Sequence, residues 1–204
     1  MNNVIVRDFV IKSSKVEDLL DLPVCITVSK FDQESVDKFS DSMSKAHNTG
    51  QPIIPIIIDS YGGEAYALLS MIEEIKSAKI PVATIARGKA MSCGAVLLSC
   101  GAEGQRYMSA NAIVMIHDVA SGNWGKIEEL KSGVKETERI QSMVYGIMAN
   151  NCGHKNKNYF LDIIHKKGHA DWYLPPLEVK RHNIIQHIRM PSFTTTIKVN
   201  MEFK

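Results

Sequence analysis

The sequence predicts an α/β fold, because short apolar segments alternate along the chain with segments of helical periodicity. Residues 53–58 form a uniformly apolar run, which is typical of a central strand buried on both faces. A break with two glycines follows, and then Leu68, Ile72 and Ile75 recur at helical spacing before a second apolar run at 81–86. We expect this β-α-β unit to cross over in the right-handed sense.

The other segments continue the alternation. Further strands are predicted from apolar and β-branched composition at 24–28, 112–116 and 183–188, with an edge strand at 194–199. Helices are predicted where apolar residues recur every three or four positions, at 36–46, at 92–99 and from Lys126 onwards. The helix from Lys126 is long and amphipathic, which is typical of a helix that projects toward a partner. Pro175 and Pro176 can open a short helix near the end of the chain.

Composition indicates an ordinary globular protein. Of the 204 residues, 45% are hydrophobic and 23% are charged, so we assign 1–204 to one domain with an N-terminal segment (1–23) and a C-terminal tail (189–204). A formal net charge of +2 argues against nucleic-acid binding, and no apolar stretch approaches the roughly 20 residues of a membrane span. Neither a secretory signal nor a CxxC pair is found, so we expect a cytoplasmic protein with reduced cysteines.

Two glycine-containing turns stand where a predicted strand gives way to a helix. Gly62 and Gly63 would let the chain pass close to a ligand, although a plain tight turn explains them equally well. Ser92 falls at the start of a helix between small residues, as in a nucleophile elbow, where the amide of Cys93 would face an oxygen that gains negative charge. The alternative is that Ser92 is only a helix N-cap.

Histidines offer a candidate base and a weak candidate metal site. His117 ends the strand predicted at 112–116, and sites in α/β sheets collect at the carboxyl ends of strands. A structural, hydrogen-bonded histidine is the alternative. His165 and His169 are four residues apart, but Gly168 breaks the helix that metal ligation at this spacing requires, so no metal is predicted.

Three segments in this order resemble the motifs of one family. They are Asp-Ser-Tyr-Gly-Gly at 59–63, Gly-Lys-Ala-Met-Ser-Cys-Gly-Ala-Val-Leu-Leu at 88–98 and Met-Ile-His at 115–117. The proteolytic subunit of the Clp protease, ClpP, has a Ser-Pro-Gly-Gly turn, an Ala-Ser-Met-Gly-Ala nucleophile motif and a Met-Ile-His motif at similar separations. The resemblance extends from about Val24 to Ile188.

The resemblance implies a serine peptidase site. Ser92 corresponds to the nucleophile and His117 to the general base, and the amides of Gly63 and Cys93 correspond to the oxyanion hole. The family's acid lies in a segment similar to Asp171-Trp172-Tyr173-Leu174-Pro175-Pro176-Leu177-Glu178-Val179, so Asp171 is the predicted third member. Asp162 and Asp118 are the other candidates, because Pro175 and Pro176 replace the family's Ser-Ala pair.

The resemblance also implies a fold and an assembly. The ClpP/crotonase-like fold stacks repeated ββα units and has a projecting handle helix, here the one that begins near Lys126. Heptameric rings stacked face to face would enclose the active sites and admit peptides or unfolded proteins, with no cofactor. The departures from the family pattern are similar to those of phage ClpP-like proteins. Since the N-terminal segment does not show the family's axial-pore sequence, an AAA+ unfoldase partner stays an open expectation.

Three other function classes fit parts of the sequence. A crotonase-like acyl-CoA enzyme would share the fold without needing Ser92. A catalytically impaired ring or interaction subunit would result if Pro175 and Pro176 displaced Asp171. A relative of the signal-peptide peptidases would use a Ser-Lys pair, for which Lys89 is near in sequence, and a membrane anchor that this sequence does not contain.

Overall fold

The computed structural model describes residues 23–122 and 124–192, and it confirms the predicted α/β class. The strands of this part of the chain are β1 (Ile26–Val28), β2 (Ile54–Ser60), β3 (Val82–Met91), β4 (Arg106–Met108), β5 (Ile113–Ile116), β6 (Trp172–Leu174) and β7 (His187–Ile188). The helices are α1 (Gln33–Asn48), α2 (Ala65–Ser77), α3 (Cys93–Leu98), α4 (Ile127–Asn151), α5 (Tyr159–Lys166) and α6 (Pro176–Arg181).

The strands form one seven-stranded sheet in which β3 has the most neighbours. The order along the main path is β1-β2-β3-β4-β7, with all pairs parallel. The first half of β3, at Thr84–Ala86, pairs with β4, whereas its last residues, Lys89–Met91, pair with β5. β5 in turn pairs antiparallel with β6. Strand β3 therefore pairs both with β4, on the main path of the sheet, and with β5, which connects the sheet to β6.

The core lies between the sheet and the helices packed on it, as the hydrophobic patterns predict. The run at 53–58 is interior strand β2, whose Ile54, Ile56 and Ile58 are fully buried. Phe39 and Met43 on the predicted stripe of α1 are also buried. Burying such side chains stabilises the fold by about 1.5–3 kcal/mol each. Because this burial requires apolar residues at fixed spacing, β2 and α1 could be predicted from the sequence pattern.

Helix α4 packs on the core only through its second half. Ile140, Val144 and Met148 are buried, whereas Ile127 and Val134 near its start are 71% and 54% exposed. The first turns of the helix therefore leave apolar side chains in solvent, as expected of a projecting handle. No helix in the ranges 23–122 and 124–192 is long and apolar enough to cross a bilayer.

Some elements differ from the prediction. β3 continues to Met91 instead of ending at 86, through the polar residues 87–89, because pairing with β5 replaces the buried apolar pattern there. β4, α5 and β6 were not predicted, and the strand expected at 183–188 is reduced to β7. β4 and β6 have only three residues each, too few for a sequence pattern. The edge strand expected at 194–199 and the N-terminal segment up to residue 22 lie outside the described residues.

Gln51 joins the starts of β1 and β2. Its side-chain amide donates to the carbonyls of Val24 (3.0 Å) and Ile53 (2.7 Å). Its side-chain carbonyl accepts from the amide of Val24 (2.8 Å) and from the hydroxyl of Thr49 (2.9 Å). Gln51 is only 6% exposed, so its full hydrogen-bonding capacity is used inside the protein. This buried amide therefore holds the edge strand β1 in register.

We expect Gln51→Leu to lower the free energy of unfolding by about 2–4 kcal/mol, because the half-buried backbone groups at Val24 and Ile53 lose their partners. Gln33→Leu is the matched control, since the Gln33 side chain is exposed on α1 and donates to the carboxylate of Asp37; its change should stay within about 0.5 kcal/mol. Urea denaturation measures both. Equal destabilisation by the two variants would contradict the role given to Gln51.

Candidate active site

Ser92 sits at a strained bend between β3 and α3. Its backbone angles are φ 54° and ψ −119°, a sparsely populated conformation for a residue with a side chain. It occupies the N-cap position of α3, but its hydroxyl makes no capping hydrogen bond. The bend is fixed instead by the backbone, because the amide of Ser92 donates to the carbonyl of Met115 at 2.8 Å. The explanation that Ser92 is only a helix N-cap is therefore not supported. The sharp bend at this residue agrees instead with the geometry expected of an elbow.

The Gly62–Gly63 turn lies directly against Ser92. A Cβ atom added at Gly62 would be 2.8 Å from the Cβ of Ser92 and 3.2 Å from its Oγ. One added at Gly63 would be 2.3 Å from the carbonyl oxygen of Phe31, and both glycines have positive φ angles, 109° and 151°. The turn is thus held between Phe31, three residues beyond β1, and Ser92, so close approach as well as turn geometry requires glycine at both positions.

Cys93 connects the serine bend to the glycine turn. Its thiol donates to the carbonyl of Gly63 at 3.3 Å, and the residue is buried. Burial raises the pKa of this thiol to about 11. The Cys93 thiol therefore stays protonated at neutral pH and is a hydrogen-bond donor rather than a nucleophile.

His117 follows the end of β5 and is half-buried. Its backbone carbonyl accepts a 2.5 Å hydrogen bond from the hydroxyl of Tyr145 in the buried half of α4. Burial raises the pKa of Tyr145, so the phenol keeps its proton and remains a donor. The sequence did not predict this role of Tyr145, because a tyrosine among the apolar residues of a helix does not indicate which backbone carbonyl its hydroxyl will contact.

Asp171 lies at the start of β6, and strand register relates it to His117. In the antiparallel pair β5–β6, Ile116 faces Trp172 and Met115 faces Tyr173, so the next pair along the same register is His117 with Asp171. Pro175 and Pro176 follow β6 and begin α6, without interrupting this pairing. The paired residues end at Ile116 and Trp172, and Asp171 is the residue just before β6.

The predicted site residues are brought to neighbouring segments but not into a hydrogen-bonded chain. Within 23–122 and 124–192, no hydrogen bond joins the side chains of Ser92, His117 and Asp171, and Asp171 is exposed. The other two acid candidates have partners elsewhere. Asp118 bonds to His169 at 2.5 Å, and Asp162 accepts from Asn156 at 2.8 Å.

Lys89, the candidate base of a Ser-Lys pair, has other partners. Its ammonium is 2.9 Å from the carboxylate of Asp59 and 4.4 Å from the ring centre of Tyr61. The hydrogen bond from Lys89 lowers the pKa of Asp59, so the carboxylate stays ionised. The Lys89 ammonium is therefore bound to Asp59 and to the face of Tyr61, and within 23–122 and 124–192 no hydrogen bond joins it to Ser92, so a Ser-Lys pair is not supported.

The helix ends before Gly168, as the sequence predicts. Helix α5 ends at Lys166, and the left-handed turn at Gly168 and His169 folds the chain back. As a result, the rings of His165 and His169 lie 4.6 Å apart, next to Asp118. The two histidines are therefore close to each other although no helix carries both of them.

Together, the parallel sheet, the serine at a strained strand-to-helix bend and the histidine after the neighbouring strand define an α/β protein whose serine bend is similar in geometry to a nucleophile elbow. Comparison with known families gives a match of the Clp protease family to residues 13–191. The match covers most of the chain, so the protein belongs to the Clp protease family. This confirms the predicted ClpP-type fold, and peptidase activity is what membership of the family indicates.

We expect Gly62→Ala to slow any reaction at Ser92 by at least about 100-fold, because the added methyl group must displace the serine by a sizeable fraction of an ångström. The rate of fluorophosphonate labelling at Ser92 measures this. Gly153→Ala is the control, since Gly153 also has positive φ (76°) but no atom within 4 Å of an added Cβ. Both variants should lose some stability, but equal labelling rates would contradict the close approach at Gly62.

Proposed function

We propose that the protein is a serine endopeptidase of the ClpP type, with Ser92 as nucleophile, His117 as general base and Asp171 as the acid. The observation that carries the proposal is the strained backbone bend at Ser92. The Ser92 hydroxyl makes no helix-capping hydrogen bond there, and the residue lies beside the Gly62–Gly63 turn. Strain of this kind persists where the surrounding structure enforces it, often at functional sites.

The chemistry requires a proton acceptor and two amide donors. His117 takes the proton of the Ser92 hydroxyl as its oxygen attacks the scissile carbonyl carbon, and later gives that proton to the leaving amine. The amides of Gly63 and Cys93 stabilise the oxyanion of the tetrahedral intermediate, where losing one such donor typically costs ~10²–10³ in rate. Water then hydrolyses the acyl-enzyme by the same path, so no cofactor is needed.

Asp171 orients the base. A carboxylate beside the imidazole fixes its tautomer and stabilises the charged form that develops during the reaction. Support comes from the β5–β6 register, in which Asp171 follows Trp172 as His117 follows Ile116 on the opposite strand. In this register the two residues lie at the same end of adjacent strands, with His117 half-buried and Asp171 exposed.

The assembly proposed is a heptameric ring, two of which stack face to face. Proteins of this family generally form oligomeric rings. The start of α4 offers an apolar surface for such contact, formed by Ile127, Val134 and the fully exposed Trp124 in the preceding loop. A chamber of this kind admits peptides and unfolded polypeptides in the cytoplasm. Engagement of an AAA+ unfoldase is a separate question from peptide cleavage.

A second candidate is a ring-forming subunit with impaired catalysis. The observation that favours it is the lack of a hydrogen bond between the side chains of Ser92, His117 and Asp171 within the described ranges. Reactivity of Ser92 distinguishes the two candidates directly.

A fluorophosphonate probe should label the wild-type protein at Ser92, as mapped by mass spectrometry, and not at the protonated thiol of Cys93. Labelling should disappear in Ser92→Ala and nearly disappear in His117→Ala. In Asp171→Asn it should slow by roughly 10⁴-fold, because the imidazole is left in the wrong tautomer.

Asp162→Asn is the matched control, since it removes a carboxylate from an exposed position on α5 and should label at the wild-type rate. Equal labelling of Asp171→Asn and wild type would move the acid to another residue. An unlabelled wild-type protein would favour the impaired ring subunit.

Mass photometry should give seven or fourteen times the 22.7 kDa of one chain. Replacing both Ile127 and Val134 by Glu should shift a fourteen-subunit assembly to seven, because charge is placed in the apolar contact between rings. Lys131→Ala, on the exposed part of the same helix, is the control and should leave the mass unchanged. A monomer would count against the ring.

A further inference from the structure

Three side chains that can ligate a metal meet at a cleft that α4 and α5 also line. Asp118 lies just after β5, His165 in the last turn of α5 and His169 in the loop before β6. One ligand atom from each lies within 4.8 Å of the others. The three residues come from two distant parts of the chain, so tertiary structure and not local sequence creates the cluster.

The end of α5 brings the two histidines together. The amide of Gly168 donates to the carbonyl of His165 (3.0 Å), and that of His169 donates to the carbonyl of Ile164 (3.1 Å). Gly168 and His169 both have positive φ, 70° and 61°. The helix is therefore closed by a left-handed turn, and this turn places the ring of His169 against that of His165.

Asp118 is the member whose environment points to a cation. Its Oδ2 contacts Nδ1 of His169 at 2.5 Å, whereas its Oδ1 is shielded from solvent and has no hydrogen-bond partner within the described ranges. A shielded carboxylate oxygen without a partner is costly, and a bound cation would remove that cost. The cluster borders an open cleft of about 690 Å³, which Glu138 and Asp162 also line, so an ion has an entry path with negative charge along it.

We propose that Asp118, His165 and His169 form a binding site for a divalent transition-metal ion of the zinc class. Two imidazoles and one carboxylate suit zinc, whereas magnesium and calcium prefer oxygen ligands only. Bonds of 2.0–2.2 Å in a tetrahedral site separate the ligand atoms by about 3.3 Å. The ligand atoms now lie within 4.8 Å of one another, and rotation of the two exposed imidazoles brings them to that spacing around the half-buried Asp118. The fourth position opens to the cleft.

The site is distinct from the proposed serine chemistry but joins the same segments. Asp118 follows His117, and His169 precedes Asp171 by two residues. A metal bound here would tie the end of β5 to the start of β6, the two strand ends that carry the proposed base and acid. Binding should therefore stabilise the folded chain against heat, by an amount that rises with the logarithm of the zinc concentration above Kd.

Isothermal titration of the chelator-treated full chain with zinc chloride tests the proposal. We expect one zinc ion per chain, with no competition from a large excess of magnesium. His165→Ala, His169→Ala and Asp118→Asn should each weaken zinc binding at least about tenfold, since even partners outside the ligand set are typically worth 10–100-fold. Asp41→Asn, which removes an exposed carboxylate of α1 that does not line the cleft, is the control and should bind zinc like the wild type.

Cobalt substitution separates this site from binding by the cysteines. The expected visible spectrum is that of nitrogen and oxygen ligands, without a thiolate charge-transfer band. Wild-type affinity in both histidine variants, or a thiolate band, would overturn the proposal. Because the readouts are binding and spectra, such a failure leaves fluorophosphonate labelling at Ser92 unaffected, and the two proposals fail separately.

Discussion

The double pairing of strand β3 is the constraint on which the site depends. Its first half is held by β4 and its last residues, Lys89–Met91, by β5, so the strand cannot twist freely before it reaches Ser92. Helix α3 then begins at once with Cys93, and all six of its residues are buried. Strand β3 and helix α3 are both held by their neighbours. The chain therefore changes direction at Ser92, the single residue between them.

The energy of this bend is small beside what surrounds it. A sparsely populated backbone conformation costs about 1–3 kcal/mol, whereas burying Val96, Leu97 and Leu98 contributes about 1.5–3 kcal/mol each. The core can therefore hold Ser92 in a conformation that an isolated peptide would leave. Gly62 completes the arrangement, because only a residue without Cβ fits against the serine at this distance.

The end of β5 is where the remaining features converge. Tyr145 from α4 holds the carbonyl of His117, and the next residue, Asp118, contacts His169. The antiparallel register with β6 brings Asp171 to the same end of the strand. Two consecutive residues thus have contacts with separate parts of the fold. His117 contacts α4 through Tyr145, and Asp118 contacts the proposed metal ligand His169.

The sequence by itself determined the α/β class, the interior strand β2, the buried stripe of α1 and the elbow position of Ser92, because each rests on local periodicity or on small residues at a sharp bend. The family was also recognisable from motifs in order along the chain. Only the tertiary structure decided how β6 registers with β5 and where His165 and His169 meet Asp118. These features join residues about fifty positions apart, and three-residue strands and a left-handed turn at a histidine leave no periodic pattern in the sequence.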